Sequence, residues 1–319
     1  MAVAGDAGTV LALRALGLGD ALTGIPALRG LRRAYPGARL VLAAPAAVGG
    51  WLRDLGVVDE VVPAAGPDLH WERPPPDVAV NLHGRGPQSH QALLRLDPGR
   101  LVAFACPDAG HVDGPPWPAA AHEVDRWCSL VVDAGGDCGR DDLYLPAPPR
   151  RDHVLLHPGA SSGSRRWPVE RWRALAGHLL RRGRKVVVTG SASEKALCAA
   201  VADDPAVRDT AGTLDLPALA DLVGSASLVV CGDTGVAHLA TATGTPSVLL
   251  FGPVDPRHWG PVVDLDRHLV LWHPREGDPP GDPHAATVDP RLDRLQVDDV
   301  ARAVDRLERL LSRPRARRS

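Results

Sequence analysis

No stretch of this 319-residue chain reaches the ~18 uncharged apolar residues that a membrane-spanning helix requires, which excludes an integral membrane protein of the helical kind. Cysteine is sparse and unpaired in pattern. The five residues, Cys106, Cys128, Cys138, Cys198 and Cys231, are odd in number and contain no C-x-x-C pair. Neither a disulfide framework nor a zinc knuckle is indicated, and a reducing compartment is expected. Charge imbalance is also missing: 36 basic residues against 38 acidic ones leave a formal charge of −2. Such a chain has no general attraction for nucleic acid or an anionic membrane, so any basic site must be local. The apolar stretch from Met1 to Leu18 is not a signal peptide by its order, because its basic residue, Arg14, follows the apolar run instead of preceding it. It reads as a first strand, and the protein is expected in the cytoplasm.

What is present is alternation. Hydrophobic residues make up 45% of the chain, enough for two sizeable cores at this length. Thr9 to Ala15 reads as a buried strand that breaks at Gly17-Leu18-Gly19-Asp20, and a helix pattern with Leu22, Ile25, Leu28 and Leu31 follows. Strands are expected at 39–43, 57–62, 77–82 and 101–105, with helices at 46–55 and 121–134. Residues 139–152 combine charge and proline with little periodicity, as a linker between domains does. The alternation then restarts, with strands at 153–157 and 185–189, helices at 169–182, 192–202 and 216–225, and a strand-turn-helix-strand unit from Ser227 to Phe251. Residues 273–290, rich in Pro, Gly and Asp, read as an irregular surface segment, and 297–311 as a final amphipathic helix. The tail from Arg313 to Ser319 reads as a solvated basic end. The expected fold class is α/β: two Rossmann-like, doubly wound parallel-sheet domains, residues 1–145 and 146–319, facing a central cleft.

In such domains ligands bind beyond the carboxyl ends of the strands, so the loops there are the candidates. Gly17-Leu18-Gly19-Asp20 is not a dinucleotide fingerprint, since the third glycine of G-x-G-x-x-G would fall at Leu22. Asp20 can be a helix N-cap or a functional carboxylate. His157 to Pro168 runs from a strand end to a helix start. Its Ser161 and Ser162 hydroxyls and its Arg165 and Arg166 guanidinium groups suit a diphosphate, or else form a solvated loop. Glu194 can complement a helix dipole or accept ribose hydroxyls. Gly232-Asp233-Thr234-Gly235 presents helix-terminal backbone N–H groups to an anion, with His238 one turn further on, where a core histidine is the ordinary reading. Trp167 and Trp172 read as packing residues, whereas Trp259, after a polar loop, could line a pocket.

These blocks resemble the family nine glycosyltransferases, which include the ADP-heptose:lipopolysaccharide heptosyltransferases. The likeness is carried by Leu18-Gly19-Asp20 with Ile25-Pro26-Ala27-Leu28, by His157-Pro158-Gly159 with Arg165-Arg166-Trp167-Pro168, by Gly190 to Glu194, and by Asp233 to Ala240. It spans roughly Val10 to Pro261. The resemblance implies a two-domain GT-B fold in which the first domain takes the acceptor and the second the nucleotide sugar. It also implies inversion at the anomeric carbon, with no metal and no cofactor. Asp20 would then be the general base. Arg165 stands where the family more often has lysine, and would offset charge on the leaving diphosphate, although an arginine-rich chain with two lysines, Lys185 and Lys195, can reach that state by compositional drift. Ser161, Ser162, Arg166, Asp233, Thr234, Gly235 and His238 would bind the donor, and Glu194 its ribose.

The function expected is transfer of a sugar, for which the family suggests a heptose from ADP-heptose, to a saccharide or glycolipid hydroxyl. Nucleic-acid binding is not expected, and membrane contact is peripheral at most. The alternatives are a sugar-nucleotide epimerase or hydrolase on the same scaffold, and a non-catalytic nucleotide-binding protein.

Overall fold

The computed structural model describes residues 8–312; the basic tail read above and the first seven residues of the apolar N-terminal stretch lie outside the described residues. The chain divides between Leu143 and Tyr144 into two compact units. Each is built on a wholly parallel sheet, as consecutive apolar residues that must be covered on both faces require.

In the first unit the strands are β1 (Thr9–Leu13), β2 (Arg39–Ala44), β3 (Glu60–Pro63), β4 (Val78–Asn81) and β5 (Arg100–Val102), arranged β3-β2-β1-β4-β5. Leu11 at the centre of β1 faces Val41 on one side and Ala79 on the other, and all three are buried. Full burial of a leucine of this kind contributes about 2 kcal/mol. Helices Leu18–Ala34, Ala46–Asp54 and Gln88–Leu94 supply crossovers, while the proline-rich segment between β3 and β4 crosses without one. The strand order reverses between β1 and β4, so the loops that follow these two strands flank the switch point.

Helix Leu18–Ala34 packs on helix Glu123–Asp133. Gly30 permits the approach, because a Cβ there would sit 2.6 Å from Cys138 Cβ and 2.9 Å from Val131 Cγ1. The chain turns back after Asp133 and brings Cys138 to Cys128, with Cα atoms 5.5 Å apart, in a disulfide. This corrects the expectation drawn from the cysteine pattern. The pair is created by a helix end followed by a reversal, which spacing alone does not signal, and cysteine usage therefore no longer argues for a reducing compartment. The first part of the expected linker is not loose: residues Arg140–Leu143 form a turn of 3-10 helix, and Asp142 accepts a hydrogen bond of 2.9 Å from Arg33.

In the second unit β6 (Val154–His157), β7 (Val186–Val188), β8 (Arg208–Asp209), β9 (Leu228–Gly232), β10 (Ser247–Leu250) and β11 (His268–Leu271) follow the order β11-β10-β9-β6-β7-β8. The reversal lies between β6 and β9. Trp167 and Trp172 meet edge to face with centroids 5.2 Å apart and are buried, as packing residues should be. The Val297–Leu311 helix lays Val300, Val304 and Leu307 on this core, and Trp167 Nε1 donates to Leu295 O at 2.9 Å just ahead of it. Strands β8 and β11 and the short helices Gln88–Leu94 and Pro256–Trp259 are additions to the sequence reading. Both residues of β8 are exposed and carry charge, so no apolar pattern marks it. Among the described residues no helix is long and apolar enough to cross a membrane.

Candidate functional site

The two loops at the β6/β9 reversal meet. Gly232, the last residue of β9, makes the contact possible, since a Cβ on it would come within 3.1 Å of Arg165 O. Arg165, on a turn of 3-10 helix (Gly163–Arg165), donates from Nη1 to the Asp233 carbonyl at 3.3 Å and lies 3.8 Å from the Asp233 carboxylate. It also donates from Nη2 to Ser161 Oγ and from Nε to Ser162 Oγ at 3.4 Å. Ser162 in turn donates to Pro283 O, and Ser164 N to Ala285 O at 2.9 Å. The 273–290 segment thus backs the arginine loop, and Asp278 anchors it by accepting 2.7 Å bonds from Arg294 Nη1 and Arg275 N. Arg166 does not join this cluster. Its Nε donates to Ala160 O at 2.9 Å, within its own loop.

Thr234 takes the N-cap position of helix Gly235–Ala242, with φ −147° and ψ 172°. Among the described residues its Oγ1 is buried without a nitrogen or oxygen partner, and the Cys231 thiol is a weak hydrogen-bonding partner to it. Burial and the charge of Asp233 push that thiol's ionisation far up, so Cys231 remains protonated. A weakly partnered hydroxyl beside helix-terminal N–H groups and a half-buried guanidinium is suited to receiving an anion. Asp233, 5% exposed, serves as Arg165's partner and so holds the cation over the turn. His238 stacks edge-on to Trp259, with centroids 5.8 Å apart, which places both aromatic groups one helical turn beyond Thr234.

Glu194 closes a capping box: its Oε2 accepts from Ser191 N and Ser191 Oγ, both at 2.8 Å. The same carboxylate lies against Gly159, where a Cβ would overlap it. His157, at the end of β6, has an enclosed Nδ1 without a partner. Burial pushes its protonation below the ordinary histidine range, and the Glu194 charge opposes this.

Asp20 belongs to the first unit and follows β1. It is not a helix cap. Gly17, with φ −68° and ψ 177°, holds the N-cap position of helix Leu18–Ala34, and Asp20 sits in its first turn with its side chain 32% exposed. Its carboxylate is 4.0 Å from Arg14 Nη2, and its carbonyl accepts from Arg14 Nε and from Thr23 Oγ1 at 2.9 Å. Arg14, Thr23 and Glu123 went unnoticed as site residues in the sequence. The one available signal was an arginine inside an otherwise apolar strand end.

The model of glycosyltransferase family 9 (heptosyltransferase) matches residues 118–278, half of the chain. The chain belongs to glycosyltransferase family 9. Lipopolysaccharide heptosyltransferase 2 of Salmonella typhimurium is 32% identical over 214 residues, 57% of this chain and 61% of that protein. The chain spans about half the length of the curated relatives it matches. Among solved structures, the family 9 glycosyl transferase from Veillonella parvula superposes with a TM-score of 0.77 at 17% identity, covering 96% of this chain and 98% of that one. The E. coli ADP-heptose lps heptosyltransferase II superposes with a TM-score of 0.74 at 22% identity, covering 95% and 98%. The fold is that of the GT-B heptosyltransferases. The family 9 match takes in the Arg165, Glu194 and Asp233 loops, whereas Asp20 lies ahead of it.

Proposed function

We propose that this family 9 chain is an inverting glycosyltransferase that moves a sugar, a heptose from ADP-heptose in the reading its relatives favour, to a hydroxyl of a saccharide or glycolipid. The observation that carries the proposal is the meeting of Arg165 with the Asp233-Thr234-Gly235 turn, which puts a cation, a weakly partnered hydroxyl and a helix N-terminus at one switch point. The second unit, 146–319 in the division proposed from sequence, takes the nucleotide sugar, and the first, 1–145, takes the acceptor. The diphosphate lies against the N–H groups of helix Gly235–Ala242, the Thr234 hydroxyl and Arg165, with Ser161 and Ser162 at its edge. Arg166 supplies charge from the rim. Glu194 holds the ribose with the carboxylate oxygen left over from its cap.

In the reaction Asp20 takes the proton of the acceptor hydroxyl while that oxygen attacks the anomeric carbon from the face opposite the diphosphate. The bond to the diphosphate oxygen breaks as the new one forms, and configuration inverts. Preorganised donors at the departing oxygen lower the barrier without reorganisation. Neither a metal nor a cofactor has a step in this scheme. A cytoplasmic enzyme in at most peripheral contact with a membrane completes the proposal. The epimerase and non-catalytic alternatives draw no support from the relatives named above.

A thermal-shift screen of ADP-, GDP-, UDP- and dTDP-sugars tests the donor assignment. A ligand at a hundred times its Kd adds about 2.7 kcal/mol to the folded state. A shift with ADP-heptose and not with the other nucleotides is the expected result, and a flat response to all four classes rejects the donor site.

A further inference from the structure

Arg14 is a neighbour of Asp20 with a wider set of contacts. It is 1% exposed at the carboxyl end of β1, where an apolar residue would fill the same space at lower cost. Every arm of its guanidinium is engaged. Nε donates to Asp20 O, Nη1 to Leu82 O, and Nη2 to Thr23 Oγ1 at 2.9 Å and Glu123 Oε1 at 3.2 Å. Its central carbon lies 4.9 Å over the Trp127 ring. Leu82 follows β4, so this one side chain ties together both strand ends that flank the switch point of the first unit.

We propose that Arg14 is a positioning residue for Asp20, fixing the first turn of helix Leu18–Ala34 against β1 and β4 and holding the Asp20 carboxylate oriented for proton transfer. The inference rests on the reading of Asp20 as the general base. A purely structural clamp would need only the backbone bonds; here the guanidinium also stands 4.0 Å from the carboxylate, which keeps an open face to solvent. Arg14 is shared between two carboxylates, with Glu123 the nearer at 3.2 Å and Asp20 at 4.0 Å. Glu123 also accepts from Trp127 Nε1 at 2.7 Å and from Arg126 Nη1, so its charge is met by two guanidinium groups, whereas Asp20 has Arg14 beside it. From the loop after β4, burial and then the Arg14 charge push the protonation of His83 below the ordinary histidine range. Lysine would keep the charge and lose the fork that grips Asp20 O, Leu82 O and Thr23 at once. Helix Leu18–Ala34 accommodates the group through Gly24, where a Cβ would come 2.6 Å from Arg14 Cδ and 2.8 Å from Nε.

The test uses the full chain labelled with 13C at aspartate carboxyl carbons, the Asp20 signal being identified by its loss in Asp20→Asn. In Arg14→Met the pH at which Asp20 protonates should rise, and kcat with ADP-heptose and a lipopolysaccharide acceptor should fall about a hundredfold, as for a misplaced catalytic group. Affinity for ADP-heptose, a property of the other unit, should hold. Arg14→Lys should restore the titration and only part of kcat. Gly24→Ala, which displaces the guanidinium without removing it, should move both readouts in the direction of Arg14→Met and carries the test if Arg14→Met does not fold. An unchanged Asp20 titration in a folded Arg14→Met or Gly24→Ala protein overturns the inference. Normal turnover in Asp20→Asn would instead overturn the reading of Asp20 as base, and the titration would separate the two failures.

Discussion

The Arg165 guanidinium reaches the carbonyl of Asp233, 68 residues away in sequence, at 3.3 Å, and its charge is met by the Asp233 carboxylate at 3.8 Å. The pairing holds a cation over the helix terminus before any anion arrives. Removing it should therefore cost transition-state stabilisation more than folding. Arg165→Ala is expected to lower kcat by about 10²- to 10³-fold, the range for losing one preorganised donor at a developing charge. Arg165→Lys should recover most of this if a point charge suffices, and little if the fork to Ser161, Ser162 and Asp233 is what places the charge. Steady-state kinetics on the two variants decide between these.

Asp20→Asn keeps the shape and first-turn position of the side chain and removes its basicity. Transfer should fall by about 10²- to 10⁴-fold, the usual contribution of a general base. Donor binding, followed by the thermal shift, should be unchanged. Near-normal turnover in this variant would take Asp20 out of the chemistry.

Gly159 and Glu194 share one space. A Cβ at 159 would overlap the carboxylate, so Gly159→Ala should expel Glu194 from its capping box with Ser191. Loss of a cap costs about 0.5–2 kcal/mol, which urea denaturation resolves. If displacement of Glu194 is the whole effect, Gly159→Ala and Glu194→Ala will not add in the double variant. A ribose role for Glu194 predicts in addition that both single variants weaken donor binding; equal loss of stability with unaltered binding would leave the cap as its one role.

Much of the architecture was legible because it is local. Hydrophobic runs marked β1, β6 and β9, and the period of 3.6 marked Val297–Leu311 to the residue. The Ser161–Arg166 and Asp233–Gly235 loops were legible as candidate sites because strand ends, glycines and hydroxyls coincide there. Legibility failed where meaning is supplied by packing. The charged residues of β8 become a strand only by pairing with β7, and the disulfide needs a chain reversal after Asp133. Arg166 reads from sequence as a second diphosphate cation behind Arg165, yet only Arg165 turns to Asp233, because nothing in a loop's composition fixes the direction of a side chain. Arg14 was hidden by its strand, since a pattern reading scores it as an interruption while the fold uses it as a hub.

His268 gives the second unit a pH dependence whose sign can be worked out. It opens β11, is 5% exposed, and shares a 2.8 Å hydrogen bond between Nδ1 and Ser247 Oγ of the facing β10 residue. Burial lowers its pKa from the ordinary 6.5 to about 4, with nearby Asp264 pulling the other way. Between these values the unfolded chain binds a proton that the folded one refuses, so stability rises with pH across this window. The contribution is fully present above pH 6.5 and is lost as pH falls toward 4, to a total of about 3 kcal/mol. In His268→Asn this part of the slope should vanish while stability at neutral pH changes by the lost packing and the altered hydrogen bond to Ser247. Urea unfolding of both proteins at pH 7, 6, 5 and 4.5 measures the difference, and parallel curves for the two would show that His268 is not the titrating group.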